Sequence, residues 1–206
     1  MKKDSKTELP KEAKAKMRTK SSSPTKDVNI KNMNISGIQK ILKNGGIGVF
    51  PTDTIYGLIG SALSKKAVRR IYKLRRRSFK KPMIILIGSL IDLNIFNIKL
   101  DKRLKKILNK IWPGPVSIIL PCPDKKFFYL HRGIKTLAFR LPAKTNLIKL
   151  LKKTGPLVAP SANLEGIPPA KNIKEAKKDF GEKVDFYFNE GEKAGKPSVI
   201  LEIKRK

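Results

Sequence analysis

The stretch Val49-Phe50-Pro51-Thr52-Asp53-Thr54-Ile55-Tyr56-Gly57-Leu58 sets an apolar run against a cluster of hydroxyls and one carboxylate. Residues 47–50 have the length and β-branched content of a buried strand, and Pro51 cannot continue its hydrogen-bond ladder. The chain therefore predicts a rigid strand ending in a polar turn, which is how a sheet presents chemistry to a crevice. A lone Thr-Asp-Thr would equally serve as an ordinary turn whose side chains satisfy nearby backbone groups. What accompanies it elsewhere decides between the two.

On either side of this stretch, helical and strand patterns alternate. A helix capped by Asn34 or Ser36 carries Ile38, Ile41 and Leu42 on one face and is closed by Gly45 and Gly46, with Gly48 read as part of the same stop. A second strand is predicted over 56–60. Ser64 then opens a helix in which Ala67, Val68, Ile71 and Leu74 recur at helical spacing, followed by a strand over 83–87. A helix over 100–111 is expected to bury Leu104, Ile107 and Leu108 before Trp112-Pro113-Gly114-Pro115 breaks it. Strands follow over 116–120 and 137–141, a helix runs through 147–151, and a strand occupies 157–159. A helix over 173–180 and strands over 184–188 and 198–203 complete the pattern. Several strands are continuously apolar, so the expected fold is α/β, a largely covered mixed sheet with flanking helices.

With 206 residues and 40% hydrophobic content the chain can bury one sizeable core. Residues 1–27 are rich in Lys, Ser and Thr and read as a disordered extension, leaving 28–206 as the folded domain. The formal net charge is +31, from 47 Lys and Arg against 16 Asp and Glu. Residues 1–27 hold nine of the basic and four of the acidic residues, so 38 against 12, a net +26, remain on the rest. Such a balance suits a polyanionic partner, nucleotide phosphates or RNA; with only 10 of the 47 cations Arg, a compositional Lys bias accounts for it equally well.

One cysteine, Cys122, excludes an internal disulfide and a multi-thiol metal site, and points to a reducing cytoplasmic setting and a structural thiol. No apolar run reaches the ~18 residues of a membrane span, so no membrane partner is expected. Neither G-x-x-x-x-G-K-[ST] nor G-x-G-x-x-G occurs, and the lone His131 falls in a polar loop without an evident partner, so a His-dependent triad or metal site is not supported.

Two further segments carry chemistry. Arg75-Arg76-Arg77-Ser78-Phe79-Lys80-Lys81-Pro82 concentrates cations between a helix and a strand, with Arg suited to forked phosphate contacts and Lys to a point contact. Val158-Ala159-Pro160-Ser161-Ala162-Asn163 again opens an apolar strand into short hydrogen-bonding side chains. These segments, together with the Thr-Asp-Thr turn, Trp112-Pro113-Gly114-Pro115 and Leu137-Ala138-Phe139-Arg140-Leu141-Pro142, resemble the YrdC-like threonylcarbamoyl-AMP synthase family over residues 38–199.

The resemblance implies a twisted sheet with a deep basic concave face. It also implies synthesis of L-threonylcarbamoyladenylate from ATP, L-threonine and bicarbonate, with Mg²⁺ accompanying ATP and pyrophosphate released. The product would supply N6-threonylcarbamoyladenosine at position 37 of ANN-decoding tRNAs through downstream threonylcarbamoyl-transferase proteins. The competing reading is an RNA-binding protein, for tRNA or double-stranded RNA, using the same face without adenylation. By the resemblance, Arg75, Arg77, Ser161 and Asn163 are the expected catalytic residues. Arg77, Lys81, Thr136, Ser161 and Pro169 are expected at ATP, and Thr54, Arg140, Ala159 and Ser198 at threonine, with Tyr56 along the pocket. The chain departs from the family pattern in four places: Arg75 replaces Lys, Leu86 and Lys144 stand where His is expected, and Glu165 replaces a small residue after Ser-Ala-Asn. It also ends without an Arg-Pro-Gly segment, Arg205 being the nearest cation, and is expected to be the short, single-domain form.

Overall fold

The computed structural model describes residues 35–203; the expected extension over 1–27, Asn34 as a cap, and Arg205 lie outside them. The chain folds around one eight-stranded mixed sheet. Its strands are β1 (Ile47–Pro51), β2 (Tyr56–Ser61), β3 (Ile85–Leu86), β4 (Val116–Pro121), β5 (Thr136–Arg140), β6 (Leu157–Val158), β7 (Phe186–Tyr187) and β8 (Val199–Glu202). They lie in the order β7-β1-β2-β6-β3-β5-β4-β8. The pairs β1/β7, β3/β5 and β4/β8 are parallel and the others antiparallel.

The helices are α1 (Ile35–Lys43), α2 (Lys65–Leu74), α3 (Lys102–Ile111), α4 (Phe128–His131), α5 (Thr145–Thr154) and α6 (Ile173–Phe180). Several begin or end where local chemistry satisfies orphan backbone groups. Ser64 and Asp101 accept from Ala67 N and Leu104 N as N-caps of α2 and α3, and Asn172 does the same for α6. Gly45, at φ 77°, takes the left-handed conformation that ends α1.

Two apolar clusters cover the sheet. α1 and α5 bury Ile38, Leu42, Leu147, Leu150 and Leu151 against Phe50, Ile59, Leu86 and Phe186. The larger cluster receives Val68 and Ile71 of α2, Leu108 of α3, Leu130 of α4 and Phe180 of α6 against Val49, Leu58, Ile85, Phe139 and Val158. Alternate residues of β1 and β2 thus go to different clusters, which is why both strands read as continuously apolar.

Several expectations change in detail. The strand over 83–87 contracts to β3, although Ala159 N donates to Ile84 O and Ile87 N to Arg140 O on either side of it. The strand over 184–188 contracts to β7. Gly48 is a strand residue rather than part of a helix stop: a Cβ there would sit 2.4 Å from the Phe186 ring, so the bare backbone lets β7 close on β1. On α3 only Leu108 is fully buried, Leu104 and Ile107 being half-buried. A 3-10 turn at Leu90–Phe96 and the short α4 have no counterpart among the sequence-based elements.

His131 is buried, not in an open loop. Its Nε2 lies 3.2 Å from Asp124 O and its Nδ1 accepts from Gly133 N at 3.1 Å, so both ring nitrogens brace a turn. Cys122 is buried with its sulfur 3.7 Å from Phe96 O, and burial pushes its thiol up to about 11, consistent with a structural role. Among the described residues no helix is long and apolar enough to cross a membrane.

Candidate active site

The Thr-Asp-Thr turn is both a local lock and a site wall. Thr52 Oγ1 accepts from Thr54 N and Ile55 N and donates to Ile55 O at 2.7 Å, closing the turn between β1 and β2. Its hydroxyl lies 3.0 Å from that of Thr54, which in turn accepts from Arg140 Nη1 at 3.1 Å. The two residues are 86 apart in sequence, and they meet because β5 ends at Arg140 close to the β1–β2 turn.

Arg140 is 4% exposed. Its Nη2 stands 3.1 Å from Asp53 Oδ1 in an ion pair without hydrogen-bond alignment, and its Nε has no partner. Burial lowers the guanidinium pKa, and the Asp53 carboxylate opposes that shift. Asp53 is held from its other oxygen by Ala143 N at 3.0 Å. A buried guanidinium with one idle donor and one misaligned partner is a donor set incomplete without a ligand.

Around it lies a cavity of about 160 Å³, lined among others by Thr54, Arg140, Ala159, Ser161, Ser198 and Ile200. Its walls come from several strand ends. Ser161 is brought there by the β2 edge: Leu58 N donates to Pro160 O, Ala162 N donates to Tyr56 O, and Gly57 pairs with Ser161 as an isolated bridge. Ser198, just before β8, lies 3.1 Å from Ser117 Oγ of β4.

A strap over 189–198 crosses this region. Tyr56 Oη donates to Gly191 O and accepts from Glu190 N, Glu190 pairs with Lys144, and Pro197 lines the cavity. Gly195 is pressed onto the turn: a Cβ there would lie 2.1 Å from Thr54 O. Burial raises the Tyr56 pKa and lowers that of Lys144, so the phenol stays protonated and able to donate.

The basic segment is arranged differently from the expectation of a row of phosphate contacts. Arg75 is 3% exposed and turned inward. Its Nε donates to Asn163 O at 2.9 Å, and its Nη2 to Ser161 Oγ and Asn163 Oδ1, both at 3.1 Å. Burial, with Arg77 nearby, lowers its pKa to about 10, which leaves it charged at neutral pH. Asn163, expected to be catalytic, spends its amide on Leu164 O and Ile167 O. Arg75 and Asn163 together hold the loop that presents Ser161.

Arg77 donates to Lys81 O and Pro82 O, and Lys81 pairs with Glu165 at 2.7 Å. The structure thus brings Thr54, Arg140, Ala159, Ser161 and Ser198 together, with Arg75 and Asn163 directly behind Ser161. Thr136 sits elsewhere, at the far end of β5, lining a second cavity of about 390 Å³ with Arg103, Ile119 and Glu202. Pro169 is half-buried in the loop before α6. Asp53 and Tyr56 form part of the site framework; for Asp53 the signal in the sequence is its place between two threonines at a strand end. Among the described residues no three of His, Cys, Asp and Glu gather into a cation site.

A protein-family model described as "Telomere recombination", covering Sua5, YciO and YrdC, matches residues 40–206. The chain belongs to the Sua5/YciO/YrdC family. It is 30% identical over 164 residues to the threonylcarbamoyl-AMP synthase of Pyrococcus abyssi, covering 79% of this chain and 48% of that protein. It is 32% identical over 164 residues to the threonylcarbamoyl-AMP synthase of Nitrosococcus oceani, covering 78% of this chain and 88% of the relative. The chain thus spans about half the length of the Pyrococcus relative and most of the Nitrosococcus one. Among solved structures, P. abyssi Sua5 complexed with L-threonine superposes with a TM-score of 0.76 at 30% identity, covering 82% of this chain and 50% of that one. E. coli YciO, at 24% identity and a TM-score of 0.73, shares the fold.

Proposed function

We propose that this member of the Sua5/YciO/YrdC family makes L-threonylcarbamoyladenylate from L-threonine, bicarbonate and ATP, releasing pyrophosphate, with Mg²⁺ entering as part of a MgATP substrate. The observation that carries the reading is the cavity in which Thr54, Arg140, Ser161 and Ser198 converge, with Arg140 Nε buried and unpartnered. A carboxylate entering there meets a pre-oriented guanidinium in water-poor surroundings, the condition under which a forked contact is strongest. Thr54 Oγ1, already on Arg140, is then beside the bound amino acid. L-threonine in the related Sua5 crystal supports the choice of amino acid.

The chemistry asks for positioning rather than for an enzyme nucleophile. The threonine amine takes up bicarbonate-derived carbon dioxide to form a carbamate. A carbamate oxygen attacks the α-phosphorus of ATP, and the bond to the leaving pyrophosphate breaks. Ser161, locked by Arg75, offers its hydroxyl to the phosphate end of the cavity. Arg77 and Lys81 supply positive charge for the leaving group once freed from their present contacts. The mixed anhydride so made is a donor for a transferase acting on tRNA adenosine in the cytoplasm.

The test is pyrophosphate release from ATP by the purified chain. Release that requires both L-threonine and bicarbonate supports the proposal. Absent release across a range of Mg²⁺, with steeply salt-dependent RNA binding, would replace it with the RNA-binding reading.

A further inference from the structure

Both oxygens of one carboxylate are captured by the basic loop. Ser78 N donates to Glu165 Oε2 at 2.8 Å and Lys81 Nζ to Glu165 Oε1 at 2.7 Å. Glu165 is fastened at its own backbone, where its N–H donates to Arg75 O at 2.8 Å. One backbone N–H and one ammonium converging on two anionic oxygens is the donor set that a phosphate group takes. The loop begins at Arg75, whose guanidinium holds Ser161 of the cavity wall. The contact can open: the Lys81 side chain is 62% exposed, and an exposed pair of this kind is weak. Arg77 stands ready beside it, its guanidinium resting on the loop carbonyls of Lys81 and Pro82.

We infer that the Glu165 carboxylate occupies, in the free protein, the place beside Ser78 N–H and the Lys81 ammonium that the leaving pyrophosphate takes. MgATP displaces the carboxylate on binding, and Glu165 returns as pyrophosphate departs. This rests on the adenylation reading above and adds to it an internal competitor. Occupation by an internal anion reduces the fraction of molecules ready for the external one, and so weakens apparent affinity. The small residue expected at position 165 from the family pattern would not compete.

The experiment measures binding of inorganic pyrophosphate to the full chain by calorimetry, and KM and kcat for MgATP. Glu165→Gln keeps the shape and removes the charge. It should tighten pyrophosphate binding and lower KM for MgATP roughly three- to fivefold, the range an exposed ion pair allows, without raising kcat. Glu182→Gln, the same charge change on an exposed turn, should leave both unchanged. In a Lys81→Ala background the gain from Glu165→Gln should disappear, which general electrostatics would not produce. Unchanged or weaker pyrophosphate binding by Glu165→Gln, with threonine-dependent turnover intact, would overturn this inference alone. Failure of all these proteins to bind pyrophosphate or MgATP would overturn it together with the adenylation reading.

Discussion

The two ends of the site are built on opposite principles. Around Arg140 the groups are buried, carried on strand ends and held by several partners, yet one donor stays idle. In the loop over 75–82 the outward groups Arg77 and Lys81 are exposed or half-exposed, carried on a turn, and occupied by the chain itself, Arg77 by two backbone carbonyls and Lys81 by Glu165. A buried guanidinium must be pre-positioned because moving it would strand a charge in apolar surroundings. A solvated ammonium can exchange partners at little cost. Under the proposed function, the amino-acid side is assembled in the free protein, whereas the phosphate side is completed by its ligand.

Substitutions can break this contrast. The largest effect is expected for Arg140→Ala, which removes the proposed carboxylate anchor and leaves the largely buried Asp53 side chain without its ion-pair partner. Threonine-dependent pyrophosphate release should fall by about 100-fold or more, and thermal unfolding should report a loss of about 3–5 kcal/mol. Gly195→Ala comes next, since its Cβ cannot coexist with Thr54 O in the present strap path. It should raise KM for threonine about tenfold, a loss within the usual range for a forced backbone shift, while leaving KM for MgATP close to wild type.

Arg75→Lys tests the buried half of the basic segment. A single ammonium replaces a fork that serves three acceptors, so stability should drop by about 1–3 kcal/mol, read from denaturant midpoints. Turnover should fall through Ser161, with a smaller change in threonine affinity. The smallest effect is expected for Lys81→Ala, a two- to fivefold rise in KM for MgATP of about the size exposed pairs yield, diminishing as salt is added. If Lys81→Ala proved more damaging than Arg75→Lys, the division between a rigid end and an adaptable end would be misdrawn.

Much of the fold is legible in the sequence because its signals are local. Strand and helix periodicities locate β1, β2, β4, β5 and all the long helices, and Ser64, Gly45 and Pro113 mark ends by their own backbone chemistry. β3 and β7 are shorter than their apolar runs, since apolar content does not reveal where a neighbouring strand stops. Gly48 looks like punctuation; the ring of Phe186, which needs the space, lies far along the chain.

The candidate site is legible as a set of residues but not as a division of labour. That Thr54, Arg140 and Ser161 belong to one site is what the family resemblance implies, and in the structure the strand ends bring them to one cavity. The inward turn of Arg75 depends on acceptors 86 and 88 residues away. The capture of Lys81 by Glu165 spans 84. No window of sequence contains such pairs. Thr136 shares β5 with Arg140 but lies at its opposite end, so its side chain belongs to a different cavity.

On the proposed function, an amino-acid carboxylate site stands already formed at Arg140. The most direct measurement is calorimetric titration of L-threonine into the purified chain without ATP, with L-threonine methyl ester and the Arg140→Ala variant alongside. Saturable binding of L-threonine that is lost on esterification and lost in the variant is the predicted result. Equal binding of acid and ester, or undiminished binding by a folded Arg140→Ala protein, would contradict it.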